Sequence, residues 1–374
     1  MKNTRGIAHL YVLLAVLVVV VVFVVGKNFN KNGLASFSFI RGDSTVPDDK
    51  PDKGLVYKGL QRDKDKCKNG FKFSVNGNDK CTHGPDEVPS TMNFAQIVAP
   101  GSGNTNGVTT TTVTCDGDGT SGNRFQAIYA HGSDVASKYD TYLTSFQTWI
   151  SGADADYANS AIRSGGSAIH PRFVHDSTCH PVIDNVTLPG TGSITMGDME
   201  SQLINLGYNR SDRKYVVFMD NTTYCGIADV GYDDTLSSSN LNNSGAMFAR
   251  TDNTCWSDYV SAHESMHIIG AVQLTAPHSA LEFHSYDTYD IMSRPTNGTP
   301  TQFVCTNTAD AYMFDCNHDD YFSANVSSSS SYLATHWNTA SSKFLINSYP
   351  IPSSIDQLQT FNKSGKNLVA TDSF

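Results

Sequence analysis

A long apolar run near the N-terminus limits how and where the rest of this chain can fold. Residues 7–25 (IAHLYVLLAVLVVVVVFVV) are apolar apart from His9 and Tyr11. A helix that crosses a bilayer core needs roughly 20 apolar residues, whereas the apolar part of a cleavable signal peptide has about 7–15. Since no Ala-x-Ala cleavage site follows, we expect a transmembrane signal anchor over residues 7–26. The alternative is a cleaved signal peptide, which would yield a secreted protein.

The basic residues beside this run bear on its orientation. Lys2 and Arg5 precede it, and basic residues favour the cytoplasmic side of a membrane. We therefore expect residues 1–6 to be cytoplasmic and the remaining chain to lie outside the cell, as a single-pass protein of the cell membrane. The reverse orientation stays open, because Lys27 and Lys31 follow the run.

The cysteines fit an extracellular location. There are eight, and none belongs to a CxxC pair. In an oxidising compartment an even number of cysteines indicates disulfides, with buried free thiols as the alternative. Pairing of neighbours along the chain predicts the disulfides Cys67–Cys81, Cys115–Cys179, Cys225–Cys255 and Cys305–Cys316.

The charge distribution excludes one class of partner. From residue 67 onward the chain has 15 basic and 30 acidic residues, a net charge of −15. This much negative charge repels a phosphate backbone, so we expect no nucleic-acid binding. The hydrophobic content of 39% is enough for a globular core.

The order of the predicted elements favours an α/β (α+β) fold. Helical periodicity and β-rich runs alternate between residues 124 and 269, which predicts a mixed, mainly parallel sheet. The predicted helices are 139–163, 196–206 and 258–269, and the predicted strands are 124–130, 168–175, 214–220, 225–232 and 246–250. After Gly270 we expect a loop-rich part with a closing helix over 331–345.

Composition also predicts the segments that flank this main domain. Residues 27–58 are polar and contain Pro47 and Pro51, as in a linker. We expect 59–110 to be an irregular lead-in, with a pro-like segment as the alternative. The main domain then spans 111–349, and 350–374 is a flexible tail.

One motif carries recognisable chemistry. Residues 263–267 read His-Glu-Ser-Met-His, which matches HExxH, and the scarcity of glutamate makes roughly 0.004 such matches the chance expectation. On a helix, His263 and His267 lie one turn apart and can bind one zinc ion. Glu264 would lie beside the metal, where its carboxylate can take a proton from zinc-bound water. The alternative is two hydrogen-bonded histidines on an ordinary helix.

The third metal ligand is less evident. A catalytic zinc has three protein ligands and one open position. Gly270 extends the motif to HExxHxxG, but Gln273 occupies the position where a third histidine would follow, and a neutral amide is a poor zinc ligand. We expect His278 to be the third ligand, with His284 as the alternative. Weaker candidates are Gln273, Glu282 and Asp290.

The main domain resembles a group of secreted, metzincin-like zinc metalloproteases of bacteria. The similar stretches are CDGDGTSGNRFQAIYA (115–130), AHESMHIIGAVQLTAPHS (262–279), YDIMS (289–293), FDCNHDDYFS (314–323) and YLATHWNTASSKFL (332–345). The resemblance implies a metzincin-like catalytic domain over 111–349. It also implies that Met292 is the methionine of a Met-turn, packed below the zinc ligands without binding the metal. Arg294 stands where some metzincins have a tyrosine, so a catalytic tyrosine is not implied.

These observations predict a membrane-anchored, extracellular zinc endopeptidase that acts on proteins or peptides, with Glu264 as the general base. Two alternatives use the same residues: a surface binding or adhesion protein with a structural zinc, and a zinc hydrolase of cell-wall amides. The presence of Glu264 favours an enzyme, because a non-catalytic relative usually loses this residue. Asp116-Gly117-Asp118-Gly119 resembles half of a calcium-binding loop, so Ca²⁺ is a further candidate ion, with a plain turn as the alternative.

Overall fold

A computed structural model describes residues 46–88, 110–190, 194–280, 282–294, 302–326, 328 and 331–351. The predicted anchor at 7–26 lies outside these ranges, as do most of the linker and nearly all of the tail. Within the described ranges, no helix is both long enough and apolar enough to cross a membrane.

The first described elements form a small antiparallel sheet, which we call the N-terminal sheet. Its strands β1 (Gln61–Arg62), β2 (Phe71–Val75) and β3 (Asn78–Thr82) pair in that order. The prediction of an irregular lead-in is therefore wrong for residues 61–82. Asn-Gly is a strong sequence signal for a β-hairpin, and the prediction overlooked it at Asn76-Gly77, between β2 and β3. Both residues have the positive φ that a type I′ turn requires, 49° and 80°.

The remaining elements build the main domain around one five-stranded sheet. In chain order they are β4 (Arg124–Gly132), α1 (Tyr139–Arg163), β5 (His170–Pro171), β6 (Ile183–Leu188), α2 (Met196–Asn205), β7 (Arg213–Asp220), β8 (Gly226–Ala228), β9 (Met247–Asp252), α3 (Asp258–His267) and β10 (Leu345–Ile346). The sheet order is β6-β4-β7-β9-β8. The first four strands are parallel, and β8 runs antiparallel to β9 at the edge. The predicted mixed α/β architecture is confirmed.

Other elements pack against both faces of this sheet, as expected for a sheet with an apolar central strand. All eight residues of β7 are buried, which is typical of a central strand with packing on both sides. Along β4, Ala127 and Tyr129 face the cluster that contains α1 and α3. Ile128 and Ala130 face the opposite cluster, formed by α2 and the N-terminal sheet. The N-terminal sheet is thus part of the hydrophobic core, with Phe71 only 1% exposed.

The chain after α3 has little regular structure, as predicted, but the expected closing helix is absent from the described residues. Two short 3₁₀ turns, Tyr332–Ala334 and Thr339–Ser341, take its place. The Asn338 side chain accepts a hydrogen bond from the Ala340 amide and donates one to the Ser323 carbonyl. Such local side-chain bonds compete with helical backbone bonds.

The structure pairs the cysteines with their neighbours along the chain. The four pairs are Cys67–Cys81, Cys115–Cys179, Cys225–Cys255 and Cys305–Cys316, with Cα–Cα distances of 5.5, 5.3, 5.1 and 6.1 Å. These distances lie in the usual range for disulfides.

Candidate metal centre

Helix α3 places two histidines of the HExxH motif on one face. The Ser257 side chain accepts a hydrogen bond from the Val260 amide and so caps the start of the helix. His263 Nδ1 lies 2.7 Å from the Ile291 carbonyl, and His267 Nδ1 lies 2.9 Å from the Ala271 carbonyl. A carbonyl only accepts, so each Nδ1 carries the proton and each Nε2 presents a lone pair.

A third histidine joins this pair, and it is His284. Its Nε2 lies 3.3 Å from His263 Nε2, which in turn lies 3.1 Å from His267 Nε2. Two ligands at 2.0–2.1 Å from a tetrahedral zinc are roughly 3.3 Å apart. Lone pairs of neutral imidazoles repel each other at this distance unless a cation lies between them. The three nitrogens therefore fit a metal ion in both spacing and chemistry.

The preferred third ligand of the sequence analysis, His278, is not in this group. Its Nδ1 lies 2.9 Å from the Asp320 carboxylate, and its main-chain amide donates to the same side chain. That carboxylate raises the pKa of His278 to about 9 and so favours the cationic form, which cannot bind a metal. The chain returns to α3 at His284 and not at His278, so the connecting loop is longer than predicted.

The weaker candidates are also engaged elsewhere. The Gln273 amide donates to the Gly231 and Gly270 carbonyls, both at 2.9 Å. Glu282 is paired with Arg62. Asp290 accepts hydrogen bonds from the Met292 amide and the Tyr321 hydroxyl.

Met292 is fully buried, in a turn whose carbonyl groups contact the segments that carry two of the histidines. Its carbonyl accepts a hydrogen bond from the Ser285 amide at 2.9 Å, directly after His284. The preceding carbonyl, of Ile291, is the one that orients His263. This turn therefore holds both the loop that carries His284 and the ring of His263. Such contacts are expected around a metal site.

The Glu264 carboxylate lies beside the histidine cluster, within 4.8 Å of a ring nitrogen of His263. It is fully buried, and its Oε2 lies 3.2 Å from His83 Nε2, while no polar partner for its Oε1 is present among the described residues. Burial, and then the neighbouring Asp86 carboxylate, raise the pKa of Glu264 well above its usual range. Gly226 on β8 is needed here, since a Cβ at that position would collide with the Glu264 carboxylate.

Two residues that the sequence analysis did not single out complete the centre. Asp86 follows the N-terminal sheet, and its carboxylate oxygens lie 2.9 Å from His263 Nε2 and 3.1 Å from His284 Nε2. His83 stacks on His267 with ring centroids 4.0 Å apart. The sequence signal was His-x-x-Asp in residues 83–86, which is too common to be read alone.

The segment that carries these residues lies along the edge strand β8. The Val230 amide donates to the Cys81 carbonyl, the Ala228 amide donates to the His83 ring at 2.9 Å, and the Asp86 amide donates to the Gly226 carbonyl at 2.9 Å. Residues 83–88, which we call the plug, thus occupy the open side of the histidine cluster and the free edge of the sheet.

The predicted calcium loop has protein partners for its carboxylates. Asp118 accepts hydrogen bonds from the amides of Thr120 and Ser121. Asp116 is paired with Arg124 and Arg172. These contacts form a capped turn, which is the alternative that the sequence left open for this loop.

Comparisons with known proteins do not assign this chain to a family. No protein-family model and no curated protein matches the sequence. Among solved structures, metalloproteinase-II from Bacteroides fragilis is similar over 66% of this chain and 75% of its own, at 11% sequence identity and a TM-score of 0.25. A likeness this weak says nothing about the function of this chain.

Proposed function

We propose that this protein is a metzincin-like zinc metallopeptidase. The observation that supports it most is the convergence of the Nε2 atoms of His263, His267 and His284 beside the carboxylate of Glu264. Three imidazoles with Glu264 nearby are the donor set of a hydrolytic zinc site, which leaves one position open. When bound there, zinc supplies a Lewis acid that polarises a carbonyl and lowers the pKa of water.

The chain's own residues would perform the rest of the reaction. Glu264 takes a proton from the attacking water and passes it to the leaving amine. The Gly226 carbonyl and the Ala228 amide on β8 offer main-chain groups that an extended peptide can pair with. A protein or peptide is therefore the proposed substrate. The proposed location is extracellular, with attachment to the membrane through residues 7–26.

We further propose that the plug keeps the enzyme latent. Asp86 takes the position that water and substrate need, and His83 contacts Glu264, the proposed base. The plug also uses the β8 edge that would bind a peptide. In this proposal the pro-like segment is shorter than residues 59–110, because only residues 83–88 block the site.

A specific observation favours a second candidate, a binding protein with a structural zinc. The Asp86 carboxylate lies beside His263 and His284, so with the three histidines it makes four protein donors, and structural zinc sites are closed by four protein ligands. His83 is a further candidate donor, because its ring lies in one group with Asp86, His267 and His284. In that case Asp86 would hold the metal rather than block it.

One experiment separates the two. Zinc content and peptide hydrolysis are measured for the full chain, Asp86→Ala, Glu264→Gln and the double variant. If the protein is a latent peptidase, Asp86→Ala keeps its zinc and gains peptide hydrolysis. Adding Glu264→Gln then lowers the rate of hydrolysis by about 10²–10⁴-fold, while zinc stays bound. A structural site loses zinc in Asp86→Ala and gains no activity. Asp79→Ala is the matched control, since that exposed carboxylate pairs with Lys72 on the N-terminal sheet and lies outside the candidate metal groups of the described residues.

A further inference from the structure

The loop that delivers His284 has an unusual backbone. The two residues before it, Glu282 and Phe283, have φ values of 69° and 64°. Residues other than glycine seldom adopt this left-handed conformation, and they keep it only where the surrounding structure holds them. Both residues are buried, at 9% and 1% exposure. Something must therefore hold this pair of residues in place for His284 to face the other two histidines.

The contacts that hold them come from the N-terminal sheet. Arg62 on β1 forms an ion pair with Glu282, and the two side chains are only 11% and 8% exposed. Arg62 is itself fixed, because it donates to the Asn69 carbonyl at 2.7 Å and lies 4.1 Å above the Phe71 ring. The Arg62 guanidinium thus presents a preorganised cation to the Glu282 carboxylate.

Phe283 is held from the same side. Tyr232 packs edge-on against it, with ring centroids 4.4 Å apart, and the Tyr232 hydroxyl donates to the Cys67 carbonyl. Cys67 lies between β1 and β2. The two left-handed residues are therefore both tied, one directly and one through Tyr232, to the N-terminal sheet.

We propose that Arg62 is a positioning residue for the third metal ligand, acting through Glu282 on the backbone that carries His284. This inference rests on the proposed function in one respect, the assignment of His284 as a ligand. It gives the N-terminal sheet and the plug opposite roles. The sheet assembles the metal site, and residues 83–88, which follow it directly, obstruct the site. Opening the site then requires movement of the plug while the sheet stays in place.

The test measures zinc affinity of the full chain by competition with a chromogenic chelator. We expect Arg62→Met and Glu282→Gln each to weaken zinc binding by about 10–100-fold, the usual effect of losing an orienting partner of a ligand. The double variant should be little worse than either single one, because both remove the same contact. Arg62→Lys, which keeps the charge but not the planar fork, should fall between Met and the parent.

Lys72→Met is the matched control. Lys72 lies on β2 of the same sheet and faces Asp79 at 3.5 Å, with a side chain that is 30% exposed. Its loss should leave zinc affinity unchanged. The Co²⁺-substituted protein gives a second readout, since displacement of His284 changes the ligand-field spectrum, whereas a general loss of stability does not.

The proposal is overturned if Arg62→Met binds zinc as tightly as the parent, or if Lys72→Met weakens binding equally. If Arg62→Met does not fold, Arg62→Lys and Glu282→Gln decide the question by the same criteria. Failure of the proposed function looks different: the parent chain itself would then bind no zinc, or Asp86→Ala would bind zinc and hydrolyse no peptide.

Discussion

Replacement of Lys80 should show how firmly the N-terminal sheet is anchored. The Lys80 ammonium on β3 lies 2.6 Å from the Glu200 carboxylate and also contacts Asp229, and these two acids are 0% and 1% exposed. One further oxygen on each acid is buried without a partner among the described residues. In Lys80→Met, two neighbouring buried carboxylates lose the cation that compensates them.

The magnitude follows from this burial. Removing one partner of a buried ion pair costs about 3–5 kcal/mol. Since the Lys80 side chain is 25% exposed and partly solvated, we expect the lower end, about 3 kcal/mol. For a domain of this size that corresponds to a fall of roughly 6–12 °C in the melting temperature.

The pH dependence provides a sharper check. Burial, and then the nearby Asp229 charge, raise the pKa of Glu200 well above its usual range. A carboxyl whose pKa is raised by folding stabilises the folded state at low pH, and this contribution is lost as the pH rises through the folded-state pKa. Lys80→Met should therefore be most destabilising above neutral pH and least near pH 5.

The assay is urea unfolding of the full chain under non-reducing conditions at pH 5 and pH 8. Lys80→Met/Glu200→Gln/Asp229→Asn, which removes the uncompensated charges, should recover much of the loss. Lys72→Met again serves as the control. A Lys80→Met variant within 0.5 kcal/mol or so of the parent at pH 8 would refute the reasoning, because changes that small are typical of ordinary surface positions.

Three further predictions test the site and its support. His284→Ala should lower zinc affinity more than tenfold while His278→Ala leaves it unchanged, as measured by metal retention during dialysis against a mild chelator; the reverse ranking would contradict the ligand assignment. Burial raises the pKa of Asp258 to about 7, so stability should fall as the pH rises through 7, and Asp258→Asn should flatten that part of the unfolding profile. Gly152→Ala should cost about 1–3 kcal/mol, because a Cβ there would lie 2.6 Å from the Asp258 Cβ; an unchanged melting temperature would mean that α1 and α3 can separate at little cost.

The sequence was most informative where a strong local pattern coincided with burial. The helix 139–163 was predicted with the bounds that the structure gives, because its apolar residues recur at helical spacing. The strand 214–220 was recognisable because a central strand is apolar without interruption. For the proposed site, HExxH singled out His263, Glu264 and His267 because all three lie within one helical turn and a half.

The rest of the site depends on distant contacts that no local pattern encodes. The Met292 carbonyl binds the amide of Ser285 and so holds the backbone next to His284. His278, in contrast, is bound by the Asp320 carboxylate. Asp320 is 42 residues from His278 along the chain, so no local pattern shows that this histidine is engaged elsewhere. Asp86 reaches the centre only because β3 directs the chain along the edge of β8, so its role could not be predicted without the fold.

The disulfides described above have a consequence for how the molecule could be divided. One bridge closes within residues 67–81, and the other three lie within residues 115–316, so none joins residues 46–88 to residues 110–351. A cut between these two parts would leave a complex held by the Lys80 cluster, the Arg62 pair and the apolar contacts of β2. The larger fragment, made on its own, would display both an apolar sheet face and an unpaired strand edge, which together promote self-association. Co-expression of the two fragments should therefore keep the larger one in solution, and it would turn this chain into a two-part complementation system.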